Sequence, residues 1–284
     1  MRNILYTTDF SKNAENALPF AIHLIKKLKG KLYLLYAYEH PMISLEEVFS
    51  FDTKIEYIEK IVNGVRLKAH HKLNQIINNY GLSNIEHRAL LRKGNIKKEV
   101  QKAIKNNDID LVVIGTRGET AENGWFKGST TKNIIQHVNC PVFAIPKSAQ
   151  FNKISKIVYL NNLKYDETNI IDRIVDFAKM YNADIVILHL MINNNKSNIL
   201  EKRKIEQLKK IINNMVYPKI SYKEIVTKNI IDGINEYIKK NEPNVIAMTT
   251  YTTTLFDKLF HKSLTKQVLL HTQVPLLAFN GNLL

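Results

Sequence analysis

Short apolar runs alternate along the chain with longer stretches whose apolar residues recur every three or four positions. Ile4–Thr8, Leu32–Tyr38, Ile85–Leu91, Leu111–Ile114 and Val142–Ile145 read as strands. Ser11 is placed to cap a helix running to about Lys29, with Ala14, Leu18, Ala21, Ile22 and Ile25 on one face and Gly30 at its end. Leu45–Tyr80 carries a helical period with Gly81 as its stop. Asn95 opens a helix to about Asn106, and Thr130–Val138 reads as another. Leu111–Ile114 is apolar on both faces, as a central parallel strand must be. This βαβ alternation predicts an α/β fold, a parallel sheet covered by helices on both faces.

The pattern then repeats. Ile4-Leu5-Tyr6 aligns with Ile157-Val158-Tyr159, and the register holds to Leu35 over Leu188 and Tyr36 over His189, with Asp9 on Asn162 and Gly30 on Ala183. Later, Ile104 falls on Ile238, Leu111 on Val245, Phe126 on Phe260, Ser129 on Ser263, His137 on His271 and Pro141 on Pro275. The chain therefore reads as two tandem doubly wound domains, 1–147 and 153–284, joined near Pro146–Asn152 through the polar stretch KSAQFNK. Strands are expected at Ile157–Leu160, Ile185–Met191, Ile220–Val226, Val245–Met248 and Leu276–Phe279, with helices around 166–181, 199–214, 230–240 and 263–271. The last strands of the two copies, Val142–Ile145 and Leu276–Phe279, are expected to pair edge to edge, which protects both edges.

Composition narrows the function classes. With 45% apolar and 24% charged residues in 284, the chain can bury a core. Its longest near-continuous apolar run, Ile185–Ile192, falls far short of the roughly 20 residues a membrane helix needs. No signal peptide is read at the N-terminus, and the single Cys140 excludes a disulfide framework, so a cytoplasmic protein is expected. The net charge of +15 suggests nucleic acid, but only 7 of the 41 basic residues are Arg and the excess is spread evenly over both copies. A general Lys/Asn/Ile bias accounts for the charge more simply. His70-His71 on the long helix reads as solvated or interfacial, and the equivalent His137 and His271 as structural. No nucleophile–base constellation, GxxxxGK[ST] loop or acid pair for Mg²⁺ is readable.

One segment carries chemistry. Four of the ten glycines, Gly115, Gly118, Gly124 and Gly128, lie in GTRGETAENGWFKGST, between the end of the fourth strand and the start of a helix. Glycines let backbone N–H groups converge on an anion. The helix N-terminus adds unpaired donors and partial positive charge, and Ser129 and Thr130 add hydroxyls there. Gly115-x2-Gly118-x9-Gly128-Ser129, the opening ILYTTDFS with Asp9, and the closing Cys140-Pro141-Val142 together resemble the universal stress protein family over essentially the whole chain. The resemblance implies five-stranded sheets ordered 3-2-1-4-5, ATP binding, and pairing of two domains. That order puts the winding reversal, where ligands sit in open α/β sheets, between the strands ended by Asp9 and Gly115.

Carried over residue by residue, the resemblance places Asp9 and the backbone of Ala37 at the adenine or ribose end. Ile114 and Gly115 lie along the ribose, and Gly118, Gly128, Ser129 and Thr130 hold the phosphates. Arg117 can pair with a phosphate; Mg²⁺ can accompany the nucleotide. Asp9 has an equal alternative as a helix cap. In the second copy Thr249, Thr252, Lys262 and Ser263 stand at the motif positions and Asn162 at that of Asp9, so ATP binding there is not expected. The function expected is an ATP-binding regulatory protein of the stress response, with at most slow hydrolysis or self-phosphorylation. The alternative is an interaction scaffold without nucleotide. The resemblance also allows a homodimer.

Overall fold

The computed structural model describes residues 2–39, 51–116, 129–163, 168–192, 199–250 and 273–281, with backbone alone at 51–59 and 129. The first half runs β1 (Asn3–Thr7), α1 (Lys12–Leu28), β2 (Lys31–Tyr38), α2 (Phe51–Asn79), β3 (His87–Lys93), α3 (Ile96–Asn106), β4 (Leu111–Gly115), α4 (Ser129–His137) and β5 (Val142–Ile145). The second half follows with β6 (Lys156–Asn161), α5 (Thr168–Lys179), β7 (Asp184–Ile192), α6 (Ile199–Asn214), β8 (Ile220–Thr227), α7 (Ile230–Asn241), β9 (Val245–Thr250) and β10 (Leu276–Asn280). The described strands form one sheet, ordered β3-β2-β1-β4-β5-β10-β9-β6-β7-β8. Each half thus has the order 3-2-1-4-5 and is parallel throughout, while β5 and β10 meet antiparallel.

Strand alternation divides the core between the two faces. Ile4, Tyr6, Leu34, Val113 and Phe143 pack with α1, α2, α5 and α6, whereas Leu5, Leu35, Val112 and Val142 pack with α3, α4 and α7. The 3.6-residue period of α1 buries Ala14, Ala17, Leu18, Ala21 and Ile25 on one side, and Ser11 caps it by accepting from Ala14 N at 3.2 Å.

The repeat extends to backbone detail. Among the described residues, the non-glycine residues with positive φ form three repeat-equivalent pairs: Phe10 (62°) with Leu163 (56°), Lys29 (50°) with Asn182 (53°), and Asp108 (47°) with Glu242 (46°). Asp110 accepts from the backbone N–H groups of Arg2 and Asn3, and its counterpart Asn244 accepts from those of Ser155 and Lys156. Asn95 and Asn229 cap equivalent helices.

Some element ends differ from the sequence reading. Lys29, not Gly30, is the left-handed residue that ends α1; Gly30 is needed because a Cβ there would run into the carbonyl of Arg2. The third strand starts at His87 rather than Ile85, because Leu82–Asn84 form a 3₁₀ turn and Ile85 N donates back to Leu82 O at 2.9 Å. The predicted helix start at 45 and the helix at 263–271 lie outside the described residues.

The seam between the halves is aromatic. Phe143 of β5 meets Phe20 of α1 and Phe177 of α5 edge-on, at centroid separations of 6.0 and 5.8 Å. His23 of α1 lies 4.3 Å from the Phe151 ring and stacks on Tyr181 at 5.7 Å, with Lys27 Nζ 5.2 Å over the same tyrosine. Burial, with Lys27 and Lys26 adding repulsion, holds the His23 imidazole below its ordinary 6.5. A proton that the unfolded chain takes up more readily than the folded one destabilises the fold. The contribution is therefore full above pH 6.5 and declines as pH falls from there through the lower folded value. Thermal unfolding should show a midpoint that drops over this window, and His23→Phe should flatten that part of the profile.

Candidate functional site

The site is built where the strand order reverses. β1 pairs with β2 on one side (Thr7↔Leu35) and with β4 on the other (Tyr6↔Val113). The helix after β1 covers one face and the helix before β4 the other, so a crevice opens past their C-terminal ends. Asp9, Ala37, Ile114 and Gly115 gather there: Ala37 lies two residues beyond the last β1–β2 pair, level with Asp9.

Asp9 Oδ1 accepts from Ser11 N at 3.0 Å, and Thr8 Oγ1 accepts from Phe10 N at 2.9 Å. These two short side-chain turns set the left-handed bend at Phe10 and aim the chain into α1. The helix cap is Ser11 and not Asp9, so Asp9 orders the turn before the cap. Phe10 packs on Tyr36 with ring centroids 4.6 Å apart, and Lys72 Nζ of α2 lies 5.1 Å over the Phe10 ring. The α1–α2 face of the sheet at this end is therefore aromatic.

Gly115 ends β4 against the first turn of α1. A Cβ there would lie 2.5 Å from Asn13 Nδ2 and 2.7 Å from Asn13 O, so only glycine permits this approach. Its carbonyl accepts from Thr131 Oγ1 at 3.1 Å, which ties the first turn of α4 to the end of β4. Both ends of the glycine-rich connection, Thr116 and Ser129, are thus fixed at the same crevice. Ser129 begins α4 and Thr130 is exposed beside it. Arg117, Gly118 and Gly128 lie outside the described residues.

The corresponding place in the second half is made differently. Thr249 stands where Gly115 does, and its hydroxyl shares a 2.8 Å hydrogen bond with Tyr159. In the first half the equivalent Tyr6 instead donates to Ala14 O at 2.7 Å. His189, 4% exposed, bonds Asn161 O through Nδ1 at 3.1 Å and Glu201 Oε1 through Nε2 at 3.2 Å. Both ring nitrogens thus face acceptors, a carbonyl on one side and a carboxylate on the other. This pair is not legible in the residues alone: His189 sits inside an apolar run, and Glu201 follows the polar stretch NNNKSN. Thr252, Lys262 and Ser263 lie outside the described residues.

The remaining candidates are structural. His70 and His71 are exposed and bond Asn74 and Gln75 one turn on. Cys140 is buried, donates to Ile109 O at 3.3 Å, and has its thiol pushed up to about 12 by burial, which makes it a poor nucleophile. Among the described residues, no helix is long and apolar enough to cross a membrane.

The profile of the universal stress protein family matches residues 1–146, just over half of the chain. The chain belongs to the universal stress protein family. A universal stress protein of Synechocystis, Slr1230, is 24% identical over 298 aligned positions, spanning 98% of this chain and all of its own length. The crystal structure of a universal stress protein from Archaeoglobus fulgidus superimposes with a TM-score of 0.70 at 16% identity, covering 98% of both chains, which shows the fold across both halves. A shorter universal stress protein has been solved in complex with cAMP; it covers 45% of this chain at 13% identity and a TM-score of 0.36, too distant to carry its ligand across.

Proposed function

We propose that this universal stress protein is a cytoplasmic regulatory protein that binds ATP in its first half. One observation carries the reading. The Gly115–Gly128 segment leaves β4 beside Asp9 at the reversal in strand order and enters α4 at its N-terminus. Asp9 and the backbone near Ala37 suit the adenosine end. Gly118, Gly128, Ser129 and Thr130 suit the phosphates, with Arg117 as a further cation, because N–H and O–H donors at a helix N-terminus favour anions. Ile114 and Gly115 form the floor between them. Mg²⁺ enters this reading only as a companion of the nucleotide.

The same reading divides the chain into domains 1–147 and 153–284, supported by the strand order repeated in each half and by a family match that stops at residue 146. Thr249 and the pairing of buried His189 with half-buried Glu201 leave the second domain without the glycine cradle, so we assign it no ATP. The β5 and β10 edges are both used inside the chain, so a homodimer has to form through another surface. Calorimetric titration of the purified protein with ATP should give one site per chain. Two equal sites would contradict the asymmetry, and no heat with ATP, ADP or AMP would favour the scaffold reading instead.

A further inference from the structure

The antiparallel junction has an internal symmetry with one break in it. Phe143 and Leu277 are repeat-equivalent and pair with each other, flanked by Val142↔Ala278 and Ala144↔Leu276. A local two-fold axis therefore passes between Phe143 and Leu277. Three residues further along the chain from each stand Pro146, just past β5, and Asn280, the last residue of β10. They are symmetry mates with opposite chemistry: Asn280 carries an amide with two N–H groups, and Pro146 carries no donor at all.

Asn280 is 2% exposed and reaches across the junction to the first half. Its Nδ2 donates to Val138 O at 3.0 Å and to Gln136 O at 3.4 Å. Between them, His137 O accepts from Gln101 Nε2 of α3 at 2.9 Å. These are carbonyls at the C-terminal end of α4, where a helix lacks its own donors. At its other end α4 is tied to β4 by Thr131 and Gly115. A helix of nine residues has little stability of its own, so its placement depends on such ties.

We propose that Asn280 is a positioning residue through which the second half clamps α4, and so sets the anion-facing end of that helix in the first half. The inference rests on the nucleotide reading for its ligand, but the clamp itself does not. The asymmetry has a consistent direction. The helix that receives the clamp follows the intact glycine motif, while Pro146 can offer no reciprocal clamp to the degenerate copy. The second domain thereby takes a role in the first domain's site without binding nucleotide itself.

The test is Asn280→Leu, nearly the same size but without donors, read in two ways. Hydrogen exchange of the α4 amides in nucleotide-free protein should quicken about three- to tenfold, as loss of net hydrogen-bond energy implies, while β1, β4 and β6 keep their protection. ATP affinity should fall by a similar about three- to tenfold factor. Asn280→Ser, too short to reach either carbonyl, carries the test if the leucine chain fails to fold. Unchanged α4 exchange overturns the clamp. Faster α4 exchange with unchanged ATP affinity overturns its role in the site. If the unaltered protein binds no ATP, the nucleotide reading falls, and the exchange arm still decides whether the clamp exists.

Discussion

Phe143→Ala should lower the stability of the whole chain by about 3–5 kcal/mol, the cost typical of emptying a large aromatic site in a close-packed core. Phe143 is fully buried on β5, at the centre of the junction, and touches α1 of the first half and α5 of the second. The space it leaves cannot collapse easily, because β5 and β10 are hydrogen-bonded neighbours and cannot close on it independently. Both halves should therefore lose stability together. Denaturant unfolding followed by hydrogen exchange would show this as a common loss of protection in β1 and β6. Two separate transitions, only one of them moved, would mean that the junction does not couple the halves.

Gly118→Val combined with Gly128→Val should weaken ATP binding at least about 100-fold, or about 2.8 kcal/mol. The stability of the fold should change by less than about 1 kcal/mol, since both glycines fall in the sequence between β4 and α4 and within neither. A β-branched side chain blocks close approach of the backbone to a phosphate and disfavours the positive φ that glycine allows. Gly115 makes an instructive contrast. Its Cβ position is already taken by Asn13, so a substitution there disturbs packing between β4 and α1 and cannot isolate ligand contacts. Titration calorimetry beside thermal unfolding separates the two effects, and full ATP affinity in the double variant would remove the proposed cradle.

Much of this architecture is legible in the residues alone because its signals are local. Strand and apolar run coincide at Val142–Ile145 and differ by one residue at β4, read as Leu111–Ile114 and found to run to Gly115; the helical period and the Ser11 and Asn95 caps mark α1 and α3. The repeat is legible because each copy must bury the same faces. Even its left-handed residues recur in register, though Lys29 and Asp108 carry no glycine signal. The candidate crevice was legible to the extent that the glycine spacing is specific. The purpose of Gly115 was not, because Asn13 belongs to a different element and its contact forms only when α1 lies on β4.

The periodicity and spacing of the residues determined the α/β class, the internal duplication, the edge that the two copies share, and the difference between an intact and a degraded glycine motif. Each follows from chemistry within a few neighbouring residues or from a comparison of the two copies. Packing alone decided that Gly115 must lie against Asn13, that His189 is buried against Glu201, and that Asn280 holds the end of α4. Asn280 and Val138 are 142 positions apart, and no local propensity encodes a bond that exists only once two strands have met back to back.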